Sequence, residues 1–583
     1  MAKQLEDVVD EIVVSDLVIL GGGLAGCIAG IRAAEKNIGV VIVEKAAIRR
    51  SGEAGRGMDH YPSIAHPRIN GISAEEYGQK RADDCEGLAN SKQSILTVKG
   101  ALKIIPVLES LGVKLREEDG TFKMIAGRFG GGLTRRKDEK KLGTAGDFIL
   151  YRGADLKLRL SSEVRKRKIR VYERTMMTGL ITENERVLGA TAVNVRNGKF
   201  LLFVAKAFLL ATGGAQSRMY DYPFGTFPNN LFTGYSNPPG VGTGHIAAYR
   251  AGARLTNLEF VSVAINSLGW SPSPQGAVFC GNMQNTRGED LFQKYRQIRQ
   301  KEKGGGFSPW VRYTFMPSMS EPEIERDVIR YYWDSVPEEA EWYGAYMAAN
   351  ETPYVLKMTL QRGGLRKTPY ELYPWLRGII RSFGGVMRDQ NGESSLKGLF
   401  VAGDVEGGGV PYGSAGALYW GYRIADHLAE SLSGVETPLL GNGQREQIEL
   451  EKKRVYAPLT VEDGVNPLEL EDLVRKIMSY HVGVKRVEPR LNRALELLGL
   501  IKEKYVPRIS AKSHHELMRA IEVQDIVELC DLHVRTSLIR TETRIPPYHY
   551  RVDYPQQDDA SWRKNIVVRN MSGKMSYTLT TIE

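Results

Sequence analysis

The chain has 583 residues, 42% of them hydrophobic and 25% charged, and a formal net charge of +10. Its length exceeds one compact core, so roughly two to four domains are expected, and its ordinary composition excludes a disordered, collagenous or disulfide-dense chain. No apolar run of about eighteen residues occurs, and the polar residues 1–11 lack the basic and apolar regions of a secretion signal, so the expectation is a cytoplasmic protein without a transmembrane segment.

In chain order, the apolar run 12–20 reads as a buried strand. It ends in Gly21, Gly23 and Gly26, with Leu24 and Ala25 opening a helix-compatible stretch, and a second apolar run closes at Glu44, eighteen positions after Gly26. This is the pattern of a dinucleotide-binding crossover. The first glycine permits a tight turn, the second lets backbone N–H groups approach a pyrophosphate, and the third lets helix and strand pack closely. Glu44 is placed to accept from the adenosine ribose. The basic cluster Arg135, Arg136, Lys137, Lys140 and Lys141 has no interleaved aromatics, so it reads as a solvated loop and not a nucleic-acid groove.

A second buried run, 207–211, leads into Thr212, Gly213 and Gly214. From 254 to 374 the sequence becomes aromatic, proline-bearing and charged with weak periodicity, which reads as an inserted domain. A third short strand, 398–402, ends in Gly403 and Asp404 and is followed by a helix opened by Ser414, Ala415, Ala417 and Leu418. Three strand-to-glycine junctions suit one long ligand: a nicotinamide dinucleotide needs chiefly the first, whereas FAD can use all three.

Beyond 436 the pattern turns helical. Leu491, Ala494, Leu495 and Leu498 fall at i, i+3, i+4 and i+7, as do Val523, Ile526, Val527 and Cys530. Residues 546–583, rich in Tyr, Pro, Asp and Arg, show no periodicity and are expected to pack as an extended tail. The four cysteines, Cys27, Cys85, Cys280 and Cys530, form no C-x-x-C run, so no zinc or iron–sulfur ligand set is available and no metal is expected.

The residues 21–26 with Glu44 and Lys45, Arg50 to Gly52, 211–214, Gly240 to His245, 398–404 and Arg540 to Pro555 resemble a known family. It comprises the flavoprotein subunits of succinate dehydrogenase, fumarate reductase and, most of all, the alpha subunit of adenylylsulfate reductase. The resemblance implies an α/β fold: a Rossmann-like FAD-binding domain (1–253 and 375–435), an inserted α+β capping domain (254–374), a C-terminal helical domain (436–545) and the tail. It also implies that FAD contacts Gly21, Gly23, Leu24, Ala25, Gly26, Glu44, Lys45, Ser51, Gly52, Gly57, Thr212, Gly213, Gly214, Gly403, Asp404, Ser414, Ala415, Ala417 and Leu418. A small-molecule substrate would sit between cap and flavin. Where membrane-bound relatives carry a histidine that bonds to the flavin, this chain has Gly52, so the FAD is expected to be non-covalent. An iron–sulfur, ferredoxin-like beta subunit is the electron partner implied, and the basic balance suits an acidic one.

Several departures bear on the chemistry. Ser273 stands where fumarate reductases have a proton-donating arginine, Ile380 where they have a substrate-binding histidine, Pro62 where adenylylsulfate reductase would have an asparagine, and 407–414 replaces an H-G-A-N-R-L-G run. The expectation is therefore an FAD-dependent oxidoreductase acting by two-electron transfer on a different small organic substrate. The alternatives are adenylylsulfate reductase itself, an electron-transfer flavoprotein without its own substrate, and a nicotinamide-binding protein without flavin. Candidate catalytic groups are Asp59 and His60 after the 51–57 loop, Tyr412 in the substituted loop, and Arg381 as a replacement anion binder. His245 and the Arg287–Glu289 turn are read as bracing.

Overall fold

Parallel strands covered on both faces need apolar side chains throughout, and the runs 12–20 and 200–211 supply them. The computed structural model describes residues 5–125 apart from 63, 84 and 123; 148–265 apart from 216, 221–231 and 235–238; and 384–581 apart from 411, 412, 484, 546 and 547. Between 266 and 383 it describes the short strands Asn282–Gln284, Ile329–Tyr332, Tyr370–Leu372 and Arg377–Ser382 with a few neighbouring residues.

Strand β1 (Glu11–Leu20), helix α1 (Leu24–Glu35) and strand β2 (Val40–Glu44) make the first crossover. After helix α2 (Leu156–Lys166) come β3 (Arg170–Glu173), β4 (Thr175–Glu183), β5 (Arg186–Asn194) and β6 (Phe200–Leu210), and much later β7 (Leu399–Val401) and α3 (Gly413–Ser431). One mixed sheet results, in the order β3-β2-β1-β6-β5-β4. β5 covers only the first half of β6, and β7 pairs in parallel with the second half. Leu20 lies opposite both Val43 and Leu210, and Leu210 lies opposite Val401. The carboxyl ends of β1, β2, β6 and β7 therefore stop at one level, the place where such sheets bind ligands.

Helices α1 and α3 cover this end of the sheet through Ala25, Ile28 and Ile31 on one side and Leu418, Ile424 and Leu428 on the other, all in one buried cluster. A Cβ on Gly421 would lie 2.4 Å from the Ala25 carbonyl oxygen, so the helices meet backbone to backbone.

Around the expected insertion of 254–374, Arg377–Ser382 runs between Phe232–Gly234, parallel to it, and Val261–Ile265, antiparallel to it, so this sheet takes strands from both sides of those bounds. A second antiparallel triplet joins Asn282–Gln284, Ile329–Tyr332 and Tyr370–Leu372. The rest of the expected α+β cap lies outside the described residues. The helical region contains Asn442–Tyr456, Pro467–Ile477, Glu488–Leu500 and His514–Ile539. Ser513 caps the last of these by accepting from the Glu516 N–H, and Leu491, Ala494, Leu498, Val523, Ile526, Val527 and Cys530 are buried, as their spacing predicts.

The final segment differs from the extended tail expected. Asn565–Met571 and Lys574–Thr580 form a hairpin whose inner strand pairs with Leu255–Thr256, the base of the inserted segment. Ser572 and Gly573, both at positive φ, make the tight turn. Cross-strand partners far away in sequence give this segment its order. No described helix is long and apolar enough to cross a membrane.

Candidate functional site

The first glycine junction is closed by contacts that only glycine permits. Gly21 has φ +112°, and a Cβ there would lie 2.4 Å from the Ala211 carbonyl oxygen; a Cβ on Gly26 would lie 1.9 Å from the Gly21 carbonyl oxygen. Gly23, the residue preceding α1, faces open space, with nothing within 4 Å of its would-be Cβ. Between them, the Gly22 N–H donates to Glu44 Oε2 at 2.8 Å, and the Ala46 N–H donates to Glu44 Oε1 at 2.7 Å. Each carboxylate oxygen of Glu44 thus keeps accepting capacity for a ligand hydroxyl. The Gly22 carbonyl takes Lys157 Nζ at 2.6 Å, Ser51 Oγ at 3.3 Å and Cys27 Sγ at 3.3 Å. A Cβ on Gly52, which is at φ +80°, would lie 3.1 Å from the Gly23 Cα, and one on Gly57, at φ +111°, would lie 2.7 Å from the Ala154 Cα.

The other two junctions converge on the first. A Cβ on Gly214 would lie 3.9 Å from Asp404 Cβ, and one on Gly403 would lie 3.6 Å from Ala25 Cβ and 3.8 Å from Ala417 Cβ. Gly213, at φ +80°, faces space with no atom within 4 Å. Beside these cradles, the buried hydroxyls Thr212 Oγ1 and Ser414 Oγ have no hydrogen-bond partner among the described residues. A buried polar group without a partner costs about 1–3 kcal/mol, so two of them on the second and third junctions, near the open positions Gly23 and Gly213, fit an extended polar ligand that supplies the missing bonds. Leu24, Ala415 and Leu418 belong to the two helices that flank this crevice.

Lys45 sits differently. Its ammonium donates to the Pro239 carbonyl at 2.6 Å and to Glu522 Oε1 at 2.8 Å, so it ties the end of β2 to the helical region. Arg218 donates to Glu522 Oε2 at 2.6 Å and also pairs with Glu471. Burial pushes the Glu522 carboxyl up, but the Lys45 and Arg218 cations outweigh it and hold it down at about 2. Sequence reading missed this cluster and Lys157. A signal existed for the latter: Lys157 shares the buried face of α2 with Leu160, Ser161 and Val164, where a lysine is out of place.

Of the catalytic candidates, His60 lies in the strand Met58–Tyr61, opposite Leu150, with its ring stacked on Phe148 at 4.8 Å. Asp59 occupies the register irregularity between Met58 and His60. Arg381 lies on the inserted sheet opposite Ser262. Tyr412, Ser273 and Cys280 lie outside the described residues. His245 is fully buried, with no hydrogen-bond partner for either ring nitrogen among the described residues, and burial holds it down at about 4, so it is neutral. Arg287 pairs with Glu289 at 3.3 Å in an exposed turn around Asn285.

Residues 16–279 match the model of the FAD binding domain, and residues 471–583 match the model of the fumarate reductase flavoprotein C-terminus. One of the subunits of the CoM/CoB fumarate reductase of Methanothermobacter marburgensis is 26% identical over 95% of this chain and 96% of its own length. An FAD-dependent oxidoreductase of Methanocaldococcus jannaschii is likewise 26% identical, over 95% and 96%. The solved adenylylsulfate reductase of Archaeoglobus fulgidus has the same fold, with a TM-score of 0.81 at 23% identity across 99% of this chain and 98% of that one.

Proposed function

The chain belongs to the FAD-dependent oxidoreductases of the fumarate reductase and succinate dehydrogenase flavoprotein family, and we propose that it is a catalytic alpha subunit whose substrate is a small organic molecule held between flavin and cap. When bound, FAD supplies two-electron chemistry at its isoalloxazine. The Gly21 to Gly26 turn and the amino end of α1 would hold the pyrophosphate, Glu44 the adenosine ribose, and Asp404 the ribityl chain. The amino end of α3, with Ser414, would face the pyrimidine edge. Convergence of three glycine junctions around the orphaned hydroxyls of Thr212 and Ser414 carries this reading.

His60 and Asp59 are the proposed proton carriers, with Tyr412 and Arg381 as further candidates for binding a substrate oxygen or anion. Gly52 leaves the chain no histidine at the position of covalent attachment, so the flavin is proposed to be non-covalent. Electrons are proposed to pass to or from a ferredoxin-like iron–sulfur partner.

The test is anaerobic. Protein reduced by dithionite is mixed with fumarate, adenylylsulfate and a panel of small keto and enoyl acids, and the visible flavin absorbance is followed. Reoxidation by a member of the panel supports the reading. Reoxidation by adenylylsulfate replaces it with adenylylsulfate reduction, and reoxidation only by an iron–sulfur protein replaces it with pure electron transfer. Acid precipitation must leave the yellow colour in the supernatant; colour in the pellet contradicts the non-covalent proposal.

A further inference from the structure

Lysine is rarely buried without a carboxylate, because removing an ammonium from water costs several kcal/mol unless an anion repays it. Lys157 is 1% exposed, and among the described residues no carboxylate pairs with it. Its ammonium instead donates to the Gly22 carbonyl at 2.6 Å, the Ile48 carbonyl at 2.5 Å and Cys27 Sγ at 3.2 Å. All three of its donors are therefore engaged by neutral acceptors, and among the described residues no carboxylate contacts the ammonium directly.

The Gly22 carbonyl shares its peptide unit with the Gly23 N–H, and in a trans peptide the two point in opposite directions. A cation on the carbonyl oxygen polarises the unit and strengthens its N–H as a donor on the far side. Beside that N–H, a Cβ built on Gly23 would meet nothing within 4 Å, so this residue leaves room for a ligand. Further bonds fix the same unit, since Ser51 Oγ and Cys27 Sγ also donate to the Gly22 oxygen, and the preceding unit is held where the Gly22 N–H donates to Glu44. The Ile48 contact ties in the segment that leads to Ser51 and Gly52.

We propose that Lys157 is a positioning residue for the dinucleotide, acting through the Gly22–Gly23 peptide and supplying the buried positive charge whose counter-anion is the ligand's pyrophosphate. The inference rests on FAD being the ligand of this site, and it adds a determinant that no motif in the sequence contains. Lys157 touches neither substrate nor flavin; its effect is confined to the phosphate end.

The test measures ADP and adenosine binding to the full chain stripped of flavin, by calorimetry, for wild type, Lys157→Met and Lys157→Arg. A charge-assisted bond is about twice as strong as a neutral one, so ADP affinity should fall about tenfold in Lys157→Met while adenosine affinity holds. Lys157→Arg should keep at least half of the wild-type discrimination between the two ligands. If Lys157→Met does not fold, Lys157→Gln, which keeps donors but drops the charge, takes its place. Equal losses for ADP and adenosine would reduce Lys157 to a packing role and overturn the proposal, as would no loss for either. Wild type that binds FAD while Lys157→Met matches its ADP affinity leaves the FAD reading standing; wild type that binds neither FAD nor ADP removes both.

Discussion

Replacing Glu522 by Gln probes how the adenosine end of the site is attached to the helical region. Glu522 is buried, accepts from Lys45 at 2.8 Å, Arg218 at 2.6 Å and Arg519 at 3.0 Å, and is held down at about 2 from an ordinary value of 4.5. A shift of that size is worth roughly 3 kcal/mol, at about 1.4 kcal/mol for each pH unit. Burial limits solvent screening, so most of it should be expressed. The folded-state value is depressed, so the stabilisation is fully present above pH 4.5 and is lost as pH falls towards 2. Glu522→Gln should therefore lower the urea midpoint of the holoprotein substantially at pH 7, and the gap from wild type should narrow below pH 4.5. The removed charge also leaves Arg218 with Glu471 as its remaining partner, which adds to the loss at neutral pH. A gap independent of pH, or one equivalent to under about 1 kcal/mol, would refute the view that these ion pairs hold the carboxylate ionised.

Gly26→Ala should abolish FAD binding, since its Cβ would fall 1.9 Å from the Gly21 oxygen; a clash of this kind costs more than about 4 kcal/mol, and purified variant that stays yellow would contradict the geometry. Thr212→Val should act in opposite directions on the two forms. It removes a buried hydroxyl that the protein leaves unpaired, so the flavin-free chain gains about 1 kcal/mol in thermal or urea unfolding while FAD dissociation becomes roughly threefold to tenfold easier by fluorescence titration. Burial holds His245 down at about 4 from 6.5. The unfolded chain therefore binds a proton that the folded chain refuses between pH 6.5 and 4, and stability falls with pH through that window. His245→Leu should make unfolding less pH-dependent there, although His533, held down at about 3, keeps some of the slope; an unchanged slope would show that His245 is charged or solvated in the folded protein.

The glycine junctions were legible because each is a local demand. Gly21 and Gly26 must be glycine for their own backbone contacts, and strand, turn, helix and acid follow one another within 34 residues, Glu11 to Glu44. The same local demand made the 403–404 junction legible, and the i, i+3, i+4, i+7 spacing did so for the helical region. Contacts between distant positions were not legible. Lys157 meets Gly22 across 135 positions and Arg218 meets Glu522 across 304, and nothing in the local pattern of either residue names its partner. The hairpin at 565–580 escaped for the same reason: its inner strand is ordered by Leu255 and Thr256, not by alternation of its own. The catalytic residues were the least legible part. Motif spacing fixes a cofactor that many enzymes share, whereas the proposed proton carriers Asp59 and His60 stand on the short strand Met58–Tyr61, which no motif marks.

The pairing of Val401 with Leu210 has a consequence for biosynthesis. The second half of β6 lacks a neighbour on that side until β7 has left the ribosome, on the order of 10–40 s later at ordinary elongation rates. Throughout that interval an apolar edge of the nascent sheet is available to other chains.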